Sequence, residues 1–127
     1  MDLARQVQSR LLPQKSPSIP GLDLWGVSQP AFQVGGDFYD FVARPGQPLT
    51  FFVGDVCGKG LPAALLMPMT RAVLRWESNL QPVPTPETIL QSANRRLLAD
   101  LMEAGMFATA FVGQYNPFTG ELLYASA

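Results

Sequence analysis

The chain has 127 residues, 47% hydrophobic and 15% charged, which suffices for one globular domain with a core and for no more than one. Nine basic against ten acidic residues give a net charge of −1, so no global field recruits nucleic acid or an anionic membrane. The absence of histidine removes His general acids, Ser-His-Asp triads and His-containing zinc sites in one step, leaving proton transfer to carboxylates or metal-bound water.

Residues 2–12 place Leu3, Val7 and Leu11 at helical spacing, with Arg5, Gln6, Ser9 and Arg10 elsewhere, and Pro13 ends the pattern. So short a helix is marginal in water. It is expected to pack on its own domain or on a second copy of itself; docking on the domain is one reading, and the end of a signalling linker from a sensor domain is the other. Residues 14–21 form a Pro/Ser/Gly connector. Residues 22–27 alternate and predict a strand that feeds the loop carrying Gly35-Gly36-Asp37.

Two apolar runs, 38–43 and 49–53, flank Arg44-Pro45-Gly46-Gln47-Pro48, which predicts a β-hairpin. With an odd number of turn residues, for example 45–47, Asp37 falls opposite Asp55; a one-residue slip puts it opposite Val56 and reverses the face. In the first register two like charges oppose each other across the ladder, which destabilises a sheet unless something positive lies between them. Either the two carboxylates share a divalent cation, or each simply caps a loop beside glycine. Oxygen-only ligation suits Mg²⁺ or Mn²⁺, and Gly35, Gly36, Gly54, Gly58 and Gly60 would let backbone approach a ligand closely.

Residues 61–76 predict a helix with Leu65, Met69, Ala72, Val73 and Trp76 inward, Arg71 and Arg75 outward, and Pro68 as a kink. Its start would aim free N–H groups near the carboxylates, with Lys59 as a solvated loop lysine. A Pro-rich break follows. Thr85 as N-cap, Pro86 and Glu87 then open a second helix with Ile89, Leu90, Ala93, Leu97 and Leu101 buried, Arg95-Arg96 on its wet face, and Gly105 as the stop. Residues 107–115 and 121–125 predict a second hairpin about Asn116-Pro117-Phe118-Thr119-Gly120. The order strand, hairpin, helix, helix, hairpin predicts an α+β fold, an antiparallel β-sheet layer packed by an antiparallel helix pair.

Several chemistries are excluded locally. Cys57 is the only cysteine, so there is no internal disulfide, and as a nucleophile it would want a phosphate-binding Arg where Ala63 stands. Gly54 to Gly60 is not a Walker A loop, because Gly60 occupies the position of the Mg²⁺-binding Ser or Thr. No apolar run suits a spanning helix or a signal peptide, so the cytoplasm is the default.

Gly35-Gly36-Asp37-Phe38-Tyr39-Asp40, followed by Gly54-Asp55-Val56-Cys57-Gly58-Lys59-Gly60-Leu61-Pro62-Ala63-Ala64, closely resembles the metal-dependent PPM-type (type 2C-like) serine/threonine phosphatases of the sporulation stage II protein E and stress-response regulator branch. The likeness runs from Ala4-Arg5-Gln6-Val7-Gln8 and Leu11-Leu12-Pro13 to Met106-Phe107-Ala108-Thr109-Ala110 and Leu123-Tyr124-Ala125-Ser126-Ala127. It implies a two-metal (Mn²⁺ or Mg²⁺) centre whose activated water attacks a phosphoserine or phosphothreonine. Asp37, Asp55 and the Val56 carbonyl would be metal ligands, Asp55 the bridging one, and Asp40 a weaker candidate for a water contact. The implied substrate is a phosphorylated regulatory protein that controls a sigma factor or a similar switch; the alternative is a non-catalytic interaction module of the same fold.

Two departures from the family pattern stand out: Cys57 replaces the usual Ser, and the family's further strands, helices and Asp-Gly carboxylates lie beyond Ala127. The resemblance thus divides the chain into an N-terminal linker or switch helix, 1–13, and the N-terminal portion of a PPM-type α-β-β-α sandwich, 14–127. Taken alone this stretch is expected to bind metal weakly, to turn over little or nothing, and to form a homodimer or larger oligomer through exposed sheet or the N-terminal helix.

Overall fold

The hairpin turn is set by Pro45 and Gly46. In the computed structural model of the protein, which describes residues 2–29, 34–58 and 61–127, the Gln47 N–H donates to the Arg44 carbonyl at 3.1 Å. Gly46 takes φ 75°, the position at which a type II turn asks for glycine after proline. The turn joins β1 (Asp37–Val42) to β2 (Leu49–Cys57). Its geometry selects the register with Asp37 opposite Asp55, Tyr39 opposite Val53 and Phe41 opposite Phe51.

β2 pairs with β3 (Phe107–Tyr115), and β3 with β4 (Leu122–Ser126), giving an antiparallel sheet in the order β1-β2-β3-β4. Alternation sorts its two faces. Phe38, Val42, Phe52, Val56 and Val112 turn to one side, where α2 (Leu61–Ser78) lies over β1 and β2 and α3 (Pro86–Glu103) over β3 and β4. Phe52 and Val112 are wholly buried there, each worth about 1.5–3 kcal/mol of burial relative to exposure. The other face carries an aromatic row, with Phe111 6.2 Å from Phe51 and stacked at 5.5 Å on Tyr124.

The α3 helix begins and ends as its sequence predicts. The Thr85 hydroxyl accepts from the Thr88 N–H, and Pro86 opens the helix where no N–H is needed. At the other end the Met106 N–H reaches the Leu101 carbonyl and the Gly105 N–H reaches Met102, with Gly105 at φ 68°. This is a Schellman closure.

Three expectations need correction. Residues 22–27 form no strand: only an isolated bridge joins Ile19 and Leu22. The alternation of exposure is present through 21–29, but this segment lies against the open face of the sheet, Gly26 on the Tyr39 ring, rather than along an edge where a ladder could form. α2 is also rotated from its expected face. Ala63, Ala64, Met67, Thr70 and Leu74 are buried and Met69 and Val73 pack against the core as expected, whereas Leu65 and Trp76 are exposed, because small residues let the helix sit close on the sheet.

The third concerns charges. Arg71 and Arg75 do not stand free on the outer face: both bind the Asp40 carboxylate, at 3.1 and 2.8 Å, Arg71 largely covered and Arg75 partly open to solvent. Arg95 and Arg96 both lie on the exposed face of α3 as expected, and Arg96, 58% exposed, reaches back to the buried Glu77 at 2.6 Å.

α1 (Asp2–Leu11) meets the domain through Gln8, and Leu12, just past its end, packs on the core. Leu3 is 74% exposed and Val7 52%, so neither docks on its own domain. Lys59 and Gly60, expected in the loop before α2, lie outside the described residues. Among those described, no helix is long and apolar enough to cross a membrane.

Candidate metal centre

Asp37 is the first residue of β1, and Asp55 lies two residues from the end of β2, so the hairpin brings both carboxylates to one end of the sheet. They share the open face with Tyr39 and Val53 and turn away from the core formed by Phe38, Phe52 and Val56. Direct opposition places their Cβ atoms about 4.5–5.5 Å apart. Asp55 is held above the ordinary carboxylate range, first by loss of solvent around it and then by hydrogen bonding to, and repulsion from, Asp37. The Cys57 thiol is pushed up as well, by burial and then by the two carboxylates, which keeps it from acting as a thiolate nucleophile.

The backbone supplies a third oxygen. The Val56 N–H donates to the Gly36 carbonyl at 3.0 Å, and the Val56 carbonyl oxygen lies against Gly36, next in the chain to Asp37. A Cβ at Gly36 would overlap that carbonyl oxygen, so glycine is required for this close approach. Gly54 is likewise required, since a Cβ there would enter the Phe38 ring beneath the carboxylate pair.

Two opposed carboxylates and a backbone carbonyl fit a hard divalent cation: the donors are all oxygen, and their mutual repulsion is what a cation relieves. Among the described residues no cluster of three or more His, Cys, Asp or Glu side chains forms. The arrangement therefore supplies part of a coordination sphere, and water or further groups would complete it.

Asp40 belongs elsewhere. Three residues beyond Asp37, it lies on the opposite face, 4% exposed, and is saturated by Arg71, Arg75 and the Phe41 N–H. It fastens α2 to β1 and does not face the carboxylate pair.

Two residues near the centre were not anticipated from sequence. Thr109 pairs with Asp55 across β2 and β3, placing a hydroxyl-bearing residue beside the carboxylates; finding it required the pairing of distant strands. Gln8 of α1 binds the backbone of Gly35 and Ala64. A groove of about 1030 Å³ runs from Asp37 and Asp55 along the open face, walled by 24–29, Tyr39, Val53 and Phe111.

The stage II sporulation protein E (SpoIIE) family matches residues 45–127, a stretch that includes Asp55 and Val56 and leaves out Asp37. The whole chain is similar to the phosphoserine phosphatase RsbU of Bacillus subtilis (strain 168), 35% identical, spanning 37% of that protein. It is similar to protein IcfG of Synechocystis sp. (strain ATCC 27184 / PCC 6803 / Kazusa), 30% identical, spanning 24% of it.

Among solved structures, the SiaA-PP2C domain of Pseudomonas aeruginosa overlays 99% of the chain and 51% of its own length, with TM-score 0.81 and 25% identity. The RsbU and RsbW domains of Rv1364c from Mycobacterium tuberculosis overlay 80% of the chain and 27% of theirs, with TM-score 0.64 and 31% identity. The chain thus spans well under half the length of the curated relatives it matches.

Proposed function

The chain belongs to the stage II sporulation protein E (SpoIIE) family of PPM-type phosphatases, and from that premise we propose that it contributes Asp37, Asp55 and the Val56 carbonyl to the metal centre of a protein phosphoserine/phosphothreonine phosphatase. The observation that carries this reading is the register that sets Asp37 opposite Asp55. A β-ladder fixes the spacing of two carboxylates without a hinge, which is the preorganisation that charge stabilisation requires. By the family resemblance Asp55 would be the bridging ligand.

Divalent cations, when bound, supply water activation and stabilisation of phosphoryl charge. The chain's own part is twofold. Asp37 and Asp55 oppose each other at a separation that the ladder fixes, and Gly36 leaves room for the Val56 carbonyl beside them, where a Cβ would overlap it. With no histidine in the chain, no imidazole stands by to move protons. Mn²⁺ or Mg²⁺ is the metal that this donor set favours.

We assign residues 1–13 to a linker helix and 14–127 to the N-terminal portion of the phosphatase domain. The substrate is a phosphorylated regulatory protein of bacterial signalling in the cytoplasm, a reading supported by the likeness to a phosphoserine phosphatase. The test is hydrolysis of a phosphoserine peptide in Mn²⁺ by the full natural gene product. Asp37→Asn and Asp55→Asn should each lower kcat by about 10²-fold or more. Wild-type turnover in either variant sinks the assignment.

One observation favours a second reading, a non-catalytic interaction module. The open face carries Val53, Phe107, Leu122 and Tyr124, all about half exposed or more, and an apolar face of this kind is a packing surface. A gene product that captures a phosphoprotein but leaves its phosphate in place, in Mn²⁺, would decide for it.

A further inference from the structure

We propose that Gln8 is a positioning residue of the carboxylate centre: its side-chain amide straps the Gly35-Gly36 loop to the first turns of α2 and so fixes where Asp37 and the Val56 carbonyl stand. The inference rests on the metal reading above for its consequence, but its geometry stands alone. A glutamine amide offers two N–H donors and one oxygen acceptor. Nε2 of Gln8 donates to the Gly35 carbonyl at 2.9 Å and to the Ala64 carbonyl at 3.1 Å, while Oε1 accepts from the Gly35 N–H at 3.1 Å. Both donors and the oxygen are engaged, each on backbone 27 or 56 residues away.

The Ala64 carbonyl needs such a partner because of Pro68. In a helix that carbonyl would accept from the N–H four residues on, and Pro68 has none. The proline ring also crowds the carbonyl four residues back, tilting it away from the helix axis. Gln8 supplies the donor that Pro68 lacks, so a helix-breaking residue in α2 and a polar residue in α1 form one device.

Its other half reaches the metal centre through one peptide unit. Gly35 is held at both polar atoms by Gln8; Gly36 follows, its carbonyl accepting from the Val56 N–H at 3.0 Å and its Cα against the Val56 carbonyl; Asp37 is next. Apolar packing does not do this work at the start of α1, since Leu3 and Val7 are largely exposed.

Gln8→Met keeps length and helix propensity but removes every hydrogen bond, so mere space-filling predicts wild-type behaviour and the strap predicts loss. Two quantities are measured on the chain: amide hydrogen exchange at Gly35 and Val56 without metal, and Mn²⁺ affinity by calorimetry. The expected result is exchange about tenfold faster at both amides and a Kd for Mn²⁺ raised about tenfold, the scale of one or two net hydrogen bonds. In a Pro68→Ala background Ala64 regains a backbone donor, so Gln8→Met should cost measurably less than in wild type.

Unchanged exchange, or faster exchange with unchanged Mn²⁺ affinity, overturns the proposal. If Gln8→Met does not fold, Gln8→Asn, too short to span Gly35 and Ala64 together, is judged by the same two results. A wild-type chain that binds no Mn²⁺ would remove the metal reading, and unchanged exchange at Gly35 and Val56 would then remove the strap separately.

Discussion

Replacing Asp40 by asparagine keeps the shape of the side chain and one acceptor oxygen but deletes the charge that two arginines share. Asp40 is 4% exposed, and its partners differ: the Arg71 side chain is 18% exposed and Arg75 43%. Arg75 can turn to water, so its share of the loss is the small one of a surface pair, about 0–1 kcal/mol. Arg71 cannot. It would be left as a buried cation, and its Nε already lacks a hydrogen-bond partner among the described residues. Breaking a fully buried pair costs about 3–5 kcal/mol; with partial solvent access at Arg71, about 2–4 kcal/mol is expected for Asp40→Asn.

For a domain of this size that lowers Tm by roughly 10 °C. Urea denaturation should show a lower midpoint with an unchanged m-value, since the same surface is exposed on unfolding. A second substitution, Arg71→Met, should recover part of the loss by removing the stranded cation. Because Asp40 lies on the face opposite Asp37, Mn²⁺ affinity of the folded variant should be unaltered. A stability loss below about 1 kcal/mol would refute the idea of a buried latch, and a collapse of Mn²⁺ affinity would return Asp40 to the metal centre.

Asp55 binds its proton more tightly folded than unfolded, so metal-free stability is fully present below the ordinary pKa of 3.8 and falls as pH rises through the raised folded value. Asp55→Asn should flatten that fall and stabilise the metal-free protein at pH 7 by about 0.2–1 kcal/mol, read from urea midpoints at pH 4 to 7; a variant less stable than wild type at pH 7 contradicts it. Gly36→Ala drives a Cβ into the Val56 carbonyl and should cost about 1–3 kcal/mol, with Mn²⁺ affinity falling in the same variant; a neutral result in both assays would show that the close approach is dispensable. The exposed apolar face should make the 127-residue stretch dimeric or larger by light scattering across a concentration series, and a clean monomer at every concentration would remove that expectation.

The hairpin was legible in its Pro45-Gly46 turn, and the register with Asp37 opposite Asp55 was one of the two that alternation allowed; the observed turn selects it. Thr85, Pro86 and Gly105 marked the ends of α3 for equally local reasons. The face of α2 was not legible. Leu65 and Trp76 look like core by hydropathy, but the sheet takes the small residues Ala63, Ala64 and Thr70, a choice made by close packing rather than by residue type.

A signal for the arginines was nonetheless present. Asp40 shares the parity of Phe38 and Val42, so it had to be buried, and a buried carboxylate asks for a cation. Residues 22–27 alternate as a strand does because one side of an extended segment rests on the sheet, and period two does not distinguish lying on a face from pairing at an edge. Thr109 and Gln8 reach the centre through contacts between distant segments, which no local pattern encodes.

The claim on which the account turns is that Asp37 and Asp55 together hold a divalent cation, and paramagnetic broadening by Mn²⁺ tests it most directly. Titrated into the isotopically labelled chain, Mn²⁺ should first erase the backbone amide signals of Gly36, Asp37, Asp55, Val56 and Cys57 while leaving those of α3 sharp. The same titration of Asp55→Asn should leave all of them in place at equal concentration. Broadening centred elsewhere, or identical in wild type and Asp55→Asn, would show that the opposed carboxylates are not a metal site.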